Sequence, residues 1–377
     1  MKKIVRAATV PQSLNRFCYG VLKELSLTYD VVGLSSPGPI IDTIREREGV
    51  RIIAVPMERR ISLFKDIRSL FSLIRVFRTE RPDMVHSMTP KAGLLCMIAA
   101  KITGVPVRVH TFTGLVFPTA VGLKKQVLML TDRITCACAT HVIPEGQGVK
   151  ADLENYGITR KPMRVLGYGN VRGVDMDFYS RRQEVMEKAS LIRDDKCFTF
   201  LTVGRLVRDK GINELIAAFK RLFEEYPHIR LFMVGVFEDH IDPINKETRS
   251  TIDSSPEIQV VGHLEGDAFL AYYAASDCYV SASYREGFPN TVLEAGAMGI
   301  PCIVTDINGS REIITDGYNG LIVPPRDSEA LYLAMKKMLF DADLRASMAL
   351  VSRNHVGERF EQGYVRKCLY DFYREVL

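Results

Sequence analysis

Two carboxylates, Glu286 and Glu294, stand eight residues apart with Gly287 and Pro289 between them and Gly299 beyond. An ionised carboxylate accepts hydrogen bonds from two neighbouring hydroxyls at once, so each of the pair is suited to gripping a sugar ring. Upstream, Gly204, Arg205, Arg208, Lys210 and Gly211 place cations on a single turn. Such a turn, leading into a helix amino terminus, holds a diphosphate by Coulomb attraction and by backbone donors together. Each charge-assisted hydrogen bond there contributes about 1.5 to 3 kcal/mol. The order is not that of a Walker A loop. Taken singly, Arg205 and Lys210 read more often as solvated surface, whereas the glycines around Glu286 and Glu294 weigh against their being mere outward helix charges. Taken together, they describe a place for a sugar joined to a diphosphate.

Both groups follow runs that read as strands. Residues 198–203 precede the cation turn, which gives way to a helix from about Ile212. Residues 278–281 precede Glu286, Gly287 permits an unusual turn, Pro289 opens a helix, and Gly299 stops it. The same alternation of short β-branched runs with amphipathic stretches covers the chain. Strands are expected at 3–10, 29–35, 52–55, 84–86, 107–111 and 141–143, and again at 198–203, 230–234, 258–261, 278–281, 301–305 and 320–323. The pattern predicts an α/β protein of two Rossmann-like domains, each a parallel sheet wrapped by helices. A glycine-rich stretch, 166–173, suits a hinge, and the boundary is expected near 175–190. The first domain is then 1–175, completed by a carboxyl-terminal helix of about 356–377, and the second 185–355. Ligands of such sheets bind beyond the carboxyl ends of the strands, so two facing sheets imply a central cleft.

A chain of 377 residues exceeds what one core usually serves, in line with two domains. Its 47% hydrophobic and 25% charged residues exclude a disordered or fibrous chain. No run approaches the roughly 18 to 20 apolar residues of a membrane span. The amino terminus breaks its apolar run at Arg6 and reads as a first strand, not a signal peptide, which predicts a cytoplasmic protein. Eight cysteines lie without any Cys-x-x-Cys spacing and read as reduced core residues. Charge is uneven. Residues 1–166 hold 25 Lys or Arg against 13 Asp or Glu, a balance of +12, and the rest 25 against 32, or −7. A basic first half predicts an anionic partner. Cation-rich amphipathic segments at 58–81 and 122–130 suit docking on anionic lipid, or core packing with a basic outer face. The charge balance favours docking, hence a peripheral place on the inner face of a bacterial cytoplasmic membrane. Nucleic acid is not expected, because aromatic interleaving and a recognised module are missing.

With seven residues between them, Glu286 and Glu294 resemble the paired-glutamate motif of glycosyltransferase family 4, and the likeness extends over nearly the whole chain. The resemblance implies a retaining, metal-independent enzyme of the GT-B fold. Residues 204–211 match the family's diphosphate loop, so Arg205 and Lys210 would neutralise the leaving group beside Gly204. Glu286 would contact the transferred sugar and Glu294 the nucleotide ribose. Backbone amides at Phe288, Asn290 and Thr291 would serve the sugar and phosphates, and Leu264 the nucleobase. Residues 85–93 and 9–14 resemble bacterial members that build lipid-linked surface polysaccharides. That implies a nucleotide-sugar donor, UDP-linked by analogy, and a polyprenyl-diphosphate-linked saccharide acceptor. The leaving phosphate oxygen itself would receive the acceptor proton, so no protein nucleophile is needed.

Two departures stand out. Ser13 and Leu14 occupy the place of a glycine pair near the diphosphate, so that loop must approach with side chains present. Thr113 stands where many relatives carry an active-site histidine. His110, three residues earlier, either replaces it or is a satisfied strand residue, and His86 is a second acceptor-side candidate. Asp175 and Asp177 form a nominal metal motif of the other glycosyltransferase fold, but read as structural. The alternatives are a sugar-nucleotide epimerase on the same scaffold, which needs acid and base on both ring faces, and an inactive relative that only binds nucleotide.

Overall fold

The computed structural model describes residues 1–58, 62–240 and 242–377. Two compact units divide the chain, Met1–Gly173 with Gly363–Leu377, and Val174–Gln362. In the first, strands β1 (Lys3–Ala7), β2 (Asp30–Ser35), β3 (Arg51–Ala54), β4 (Met84–Met88), β5 (Val107–Phe112) and β6 (His141–Pro144) form one sheet in the order β3-β2-β1-β4-β5-β6. In the second, β7 (Phe198–Val203), β8 (Ile229–Val234), β9 (Ile258–Gly262), β10 (Cys278–Ser281), β11 (Cys302–Thr305) and β12 (Gly320–Val323) are ordered β12-β11-β10-β7-β8-β9. Every pairing in both sheets is parallel.

A parallel sheet must be covered on both faces, because its crossover helices lie there, and its strands then bury both side-chain sets. Alternate residues accordingly enter different cores. Val5 and Val85 pack with Leu73, Phe77 and Ala92 on one face of the first sheet, while Ile4 and Met84 pack with Leu14, Leu369 and Tyr373 on the other. Leu201 and Tyr279 join one core of the second unit, Phe200 and Val280 the other.

The expected strands are present, with small shifts at their ends. The first stops at Ala7, short of Val10, because Pro11 opens the Pro11–Phe17 helix with a dihedral already suited to it. The returning carboxyl-terminal helix expected at about 356–377 is instead two helices, Ala342–Phe360 and Gln362–Val376. Glu361 between them is extended (φ −56°, ψ 137°), and Val174 exchanges backbone hydrogen bonds with Phe360 and Gln362 on either side. Asp175 follows directly. Its Oδ1 accepts the backbone N–H groups of Asp177 and Phe178 at 3.1 and 2.9 Å, so this carboxylate shapes a turn.

Candidate functional site

In an open parallel sheet, loops from two adjacent strands diverge to opposite faces where the strand order reverses, and a crevice opens there. In the second unit that point lies between β7 and β10. The cation turn follows β7 and the carboxylate loop follows β10, so the two sequence groups meet at the switch point.

Several contacts join the loops. The backbone N–H of Tyr284 donates to the carbonyl of Asp209 at 2.9 Å. Arg285 grips the Asp209 carboxylate through Nε and Nη2 at 2.9 and 2.7 Å. Gly211 lies against the backbone of Ala282 so closely that a Cβ would overlap the carbonyl group, and its φ of +67° lies in the left-handed region. Glycine is thus required twice over at this residue, for conformation and for space.

Beside this junction Gly204, Arg205, Lys210, Tyr279, Ser283 and Thr291 line a crevice. Lys210 ends a short 3₁₀ turn, Arg208–Lys210, and its ammonium is ion-paired with the Glu286 carboxylate. Ser283 Oγ donates to the same Glu286 Oε1 at 3.0 Å. Arg205 is half-exposed, with Nη1 3.0 Å from Glu238 Oε2 in the loop after β8. Both cations therefore sit at the rim with a carboxylate holding each in place.

Glu294 lies inside the Asn290–Ala297 helix and is only 6% exposed. It accepts a hydrogen bond from Tyr273 Oη at 3.3 Å. Burial and the nearby Glu294 charge push the Tyr273 hydroxyl well above its ordinary pKa, so it remains a donor. A solvent-facing helix charge would show neither burial nor such a partner. Thr291 accepts from Tyr279 Oη at 2.7 Å. Asn290 is buried, its Nδ2 3.5 Å from the Phe288 carbonyl, and the Phe288 ring packs on Phe360 at 5.3 Å. Phe288 and Asn290 thus turn their side chains inward. Leu264 follows the outer strand β9, is half-buried against the core, and does not line the crevice. Sequence reasoning missed Tyr273 and Ser283. Ser283 lay inside the motif and showed only its hydroxyl as a signal, whereas Tyr273 comes from the Gly266–Ala274 helix.

In the first unit the switch point lies between β1 and β4. Thr9 and Thr89 meet there through their hydroxyls at 2.7 Å. Ser13 is half-buried on the Pro11–Phe17 helix, which starts without a glycine loop, and Leu14 points into the core beside Gly33. Thr113 is half-buried just beyond β5.

The histidines are enclosed. His86 is 1% exposed, its Nδ1 2.5 Å from Tyr373 Oη and its Nε2 2.7 Å from Thr111 Oγ1. Arg6 donates to the same Tyr373 oxygen at 2.7 Å, so Arg6, Tyr373, His86 and Thr111 form one buried chain of hydrogen bonds. Burial, with the Arg6 charge nearby, holds the His86 imidazole neutral, well below its usual pKa. His110 is equally buried, bonded to Ser87 Oγ at 2.9 Å and edge-on to Phe112 at 4.5 Å. Its ring fills the space that a Cβ on Gly93 would need, and burial pushes its pKa down to about 3. Its ring belongs to the packing of the Pro90–Ile102 helix on the sheet, the arrangement expected of a satisfied strand residue. His86, with both ring nitrogens hydrogen-bonded, lines a small cavity together with Arg6, Thr111, Glu145 and Asn170.

Known proteins are similar to this chain in sequence and in fold. Residues 184–355 match the family described as Glycosyl transferases group 1, and residues 22–169 a Glycosyl transferase 4-like domain. The capsular polysaccharide biosynthesis glycosyltransferase CapM of Staphylococcus aureus is 31% identical over 325 residues, 86% of this chain and 84% of that one. The UDP-Gal:alpha-D-GlcNAc-diphosphoundecaprenol alpha-1,3-galactosyltransferase of Escherichia coli is 28% identical over 331 residues, 86% and 83% of the two chains. The crystal structure of Anabaena Alr3699/HepE with UDP-glucose is similar in fold, with a TM-score of 0.82 and 17% identity over 100% of both chains. The chain belongs to the group 1 glycosyl transferases, and it is a family 4 glycosyltransferase of the GT-B fold.

Proposed function

We propose that this glycosyltransferase moves a sugar from a UDP-sugar to a hydroxyl of a polyprenyl-diphosphate-linked saccharide, with retention at the anomeric carbon, in bacterial surface-polysaccharide synthesis. The observation that carries the reading is the gathering of Arg205, Lys210, Glu286 and Thr291 about one switch-point crevice, with Glu294 buried beneath it. CapM by its name works on capsular polysaccharide, the E. coli relative by its name uses UDP-galactose and a diphosphoundecaprenol-linked sugar, and HepE was crystallised with UDP-glucose.

In this reading the second unit binds the donor and the first handles the acceptor. Arg205 and Lys210 stabilise charge growing on the departing diphosphate, which is where preorganised cations lower a barrier most. Glu286 holds the sugar and Glu294 the ribose, the latter oriented by Tyr273. Gly204 and the backbone amides at Phe288, Asn290 and Thr291 approach the phosphates and sugar, with Leu264 toward the base; Ser13 of the first unit also serves the donor, and Thr113 the acceptor. No buried histidine is asked to move a proton, since the leaving phosphate oxygen takes it. The enzyme works against the face of an anionic membrane, where such an acceptor resides.

Nucleotide release is to be measured across UDP- and GDP-sugars, with and without a polyprenyl-diphosphate-linked saccharide, and the new linkage examined by NMR. Acceptor-dependent UDP release and a product of unchanged anomeric configuration are expected. An epimerised free donor, an inverted linkage, or no turnover with any acceptor would overturn the reading.

A further inference from the structure

The helices Leu63–Glu80 and Gly122–Cys138 both pack on the Pro90–Ile102 helix, on one face of the first unit's sheet. Each buries a regular stripe. Ser69, Leu73 and Phe77 go inward from the first helix, Met129, Asp132, Thr135 and Cys136 from the second. The opposite stripes are unusual. Leu63, Phe64, Ile67 and Phe71 are 74, 90, 52 and 68% exposed, and Val121, Leu123 and Leu130 are 82, 81 and 55% exposed. A surface helix ordinarily turns polar residues outward, so two large aromatics left in water on one helix need a partner.

Charge says what the partner is. The outward charged residues are Lys65, Arg68, Arg75 and Arg78 on the first helix, and Lys124 and Arg133 on the second. The carboxylates of the same helices are turned inward or spent. Asp66 pairs with Lys91 at 2.5 Å, Glu80 pairs with Lys3 and Arg51, and Asp132 is buried. Among the described residues, Lys65 alone of these cations is offset by a carboxylate, that of Glu58 at 2.5 Å. Along Leu63–Glu80 the outward stripe changes from apolar at the amino end to cationic at the carboxyl end. Residues 59–61, part of the cation-rich segment singled out in the sequence, lie outside the described residues. No helix among the described residues is long and apolar enough to cross a membrane.

We infer that the outward stripes of Leu63–Glu80 and Gly122–Cys138 form one docking face for an anionic bilayer, with Phe64, Phe71 and Leu123 set among the acyl chains and the arginines among the headgroups. The inference deepens the proposed function and rests on its lipid-linked acceptor for biological sense, although the face stands on its own geometry. The placement suits that acceptor. Both helices follow a strand, so their amino ends, where the apolar residues cluster, lie at the carboxyl edge of the sheet. The Lys91–Asp66 pair ties the first turn of Leu63–Glu80 to that edge, next to the Thr9 and Thr89 switch point. A bilayer on this face would hold a lipid-linked sugar beside the loops that must receive it. Interfacial binding of this kind combines apolar burial with roughly fivefold in affinity per basic residue near an anionic surface.

The test is co-sedimentation of the full chain with vesicles of phosphatidylglycerol and phosphatidylethanolamine, and with phosphatidylcholine vesicles as the neutral control. Wild type is expected to partition onto the anionic vesicles and to be released by salt. Phe64→Gln with Phe71→Gln should weaken partitioning at least tenfold, and Arg68→Gln, Arg75→Gln and Arg78→Gln together about a hundredfold. All five side chains are solvent-facing, so unchanged circular dichroism and melting will certify the fold. Transfer to a short-chain, water-soluble acceptor should stay at the wild-type rate in both variants, while transfer to vesicle-embedded acceptor falls with binding. Wild type that ignores anionic vesicles, or a double variant that binds as wild type does, overturns the docking face. So does self-association of wild type without lipid that the double variant abolishes, since the occupant is then a second copy. Vesicle binding as expected, with no sugar transferred to any acceptor, leaves the docking face standing and sinks the proposed function instead.

Discussion

A buried ionisable side chain costs free energy unless its charge is partnered or surrendered, and the buried groups here take both courses. Glu294 is met by Tyr273 Oη, whereas His110 gives up its charge, with a pKa near 3. The second case predicts a pH dependence. The unfolded chain takes up the imidazole proton near pH 6.5 and the folded chain only near 3, so between those values the unfolded state binds more protons and stability falls as pH falls. Lowering the pH from 7 to 5 should cost about 2 kcal/mol through this residue alone. Urea unfolding at pH 7 and pH 5 should show that wild type loses about 2 kcal/mol more than His110→Asn, and equal losses would refute it. At this scale the sequence was half legible. Glu286, Glu294, Arg205 and Lys210 announced themselves by type and spacing. The burial of His86 and His110 did not, because it depends on Gly93 and Tyr373, which come from other elements.

The elements carry a second prediction. Two loops become one site because Gly211 allows the turn after β7 to lie against Ala282 after β10. Gly211→Ala adds a Cβ where a left-handed residue costs about 1 to 2 kcal/mol and where the Ala282 carbonyl already stands. The variant should melt lower by at least that much and bind UDP at least tenfold more weakly by calorimetry. Unchanged UDP affinity would separate the junction from the donor site. The strands were readable because each is a short β-branched run buried on both faces, a signal that survives without any partner in view. The break at Glu361 was not, since nothing local interrupts the helical pattern there. It is set by the pairing of Val174 with Phe360 and Gln362, far away in sequence. The division of the chain between Gly173 and Val174 belongs to the same long-range event.

Over the whole molecule charge divides unevenly, with +12 on residues 1–166 and −7 on the rest. The donor reading places nucleotide on the less basic unit, which is counterintuitive on net charge and follows from the local pairing of Arg205 and Lys210 with carboxylates. Hydrogen exchange with UDP at about a hundred times its dissociation constant should therefore protect residues 204–211 and 282–294 and stabilise that unit by about 2.7 kcal/mol. Protection confined to residues 1–173 would contradict it. The central claim is that Lys210, held by Glu286 at the rim of the crevice, acts on charge that develops as the diphosphate departs. Lys210→Ala tests this most directly, with turnover and donor dissociation constant measured on the same preparation. The account predicts turnover lower by roughly 10²- to 10³-fold with donor affinity changed only a few-fold. Turnover equal to wild type would contradict it.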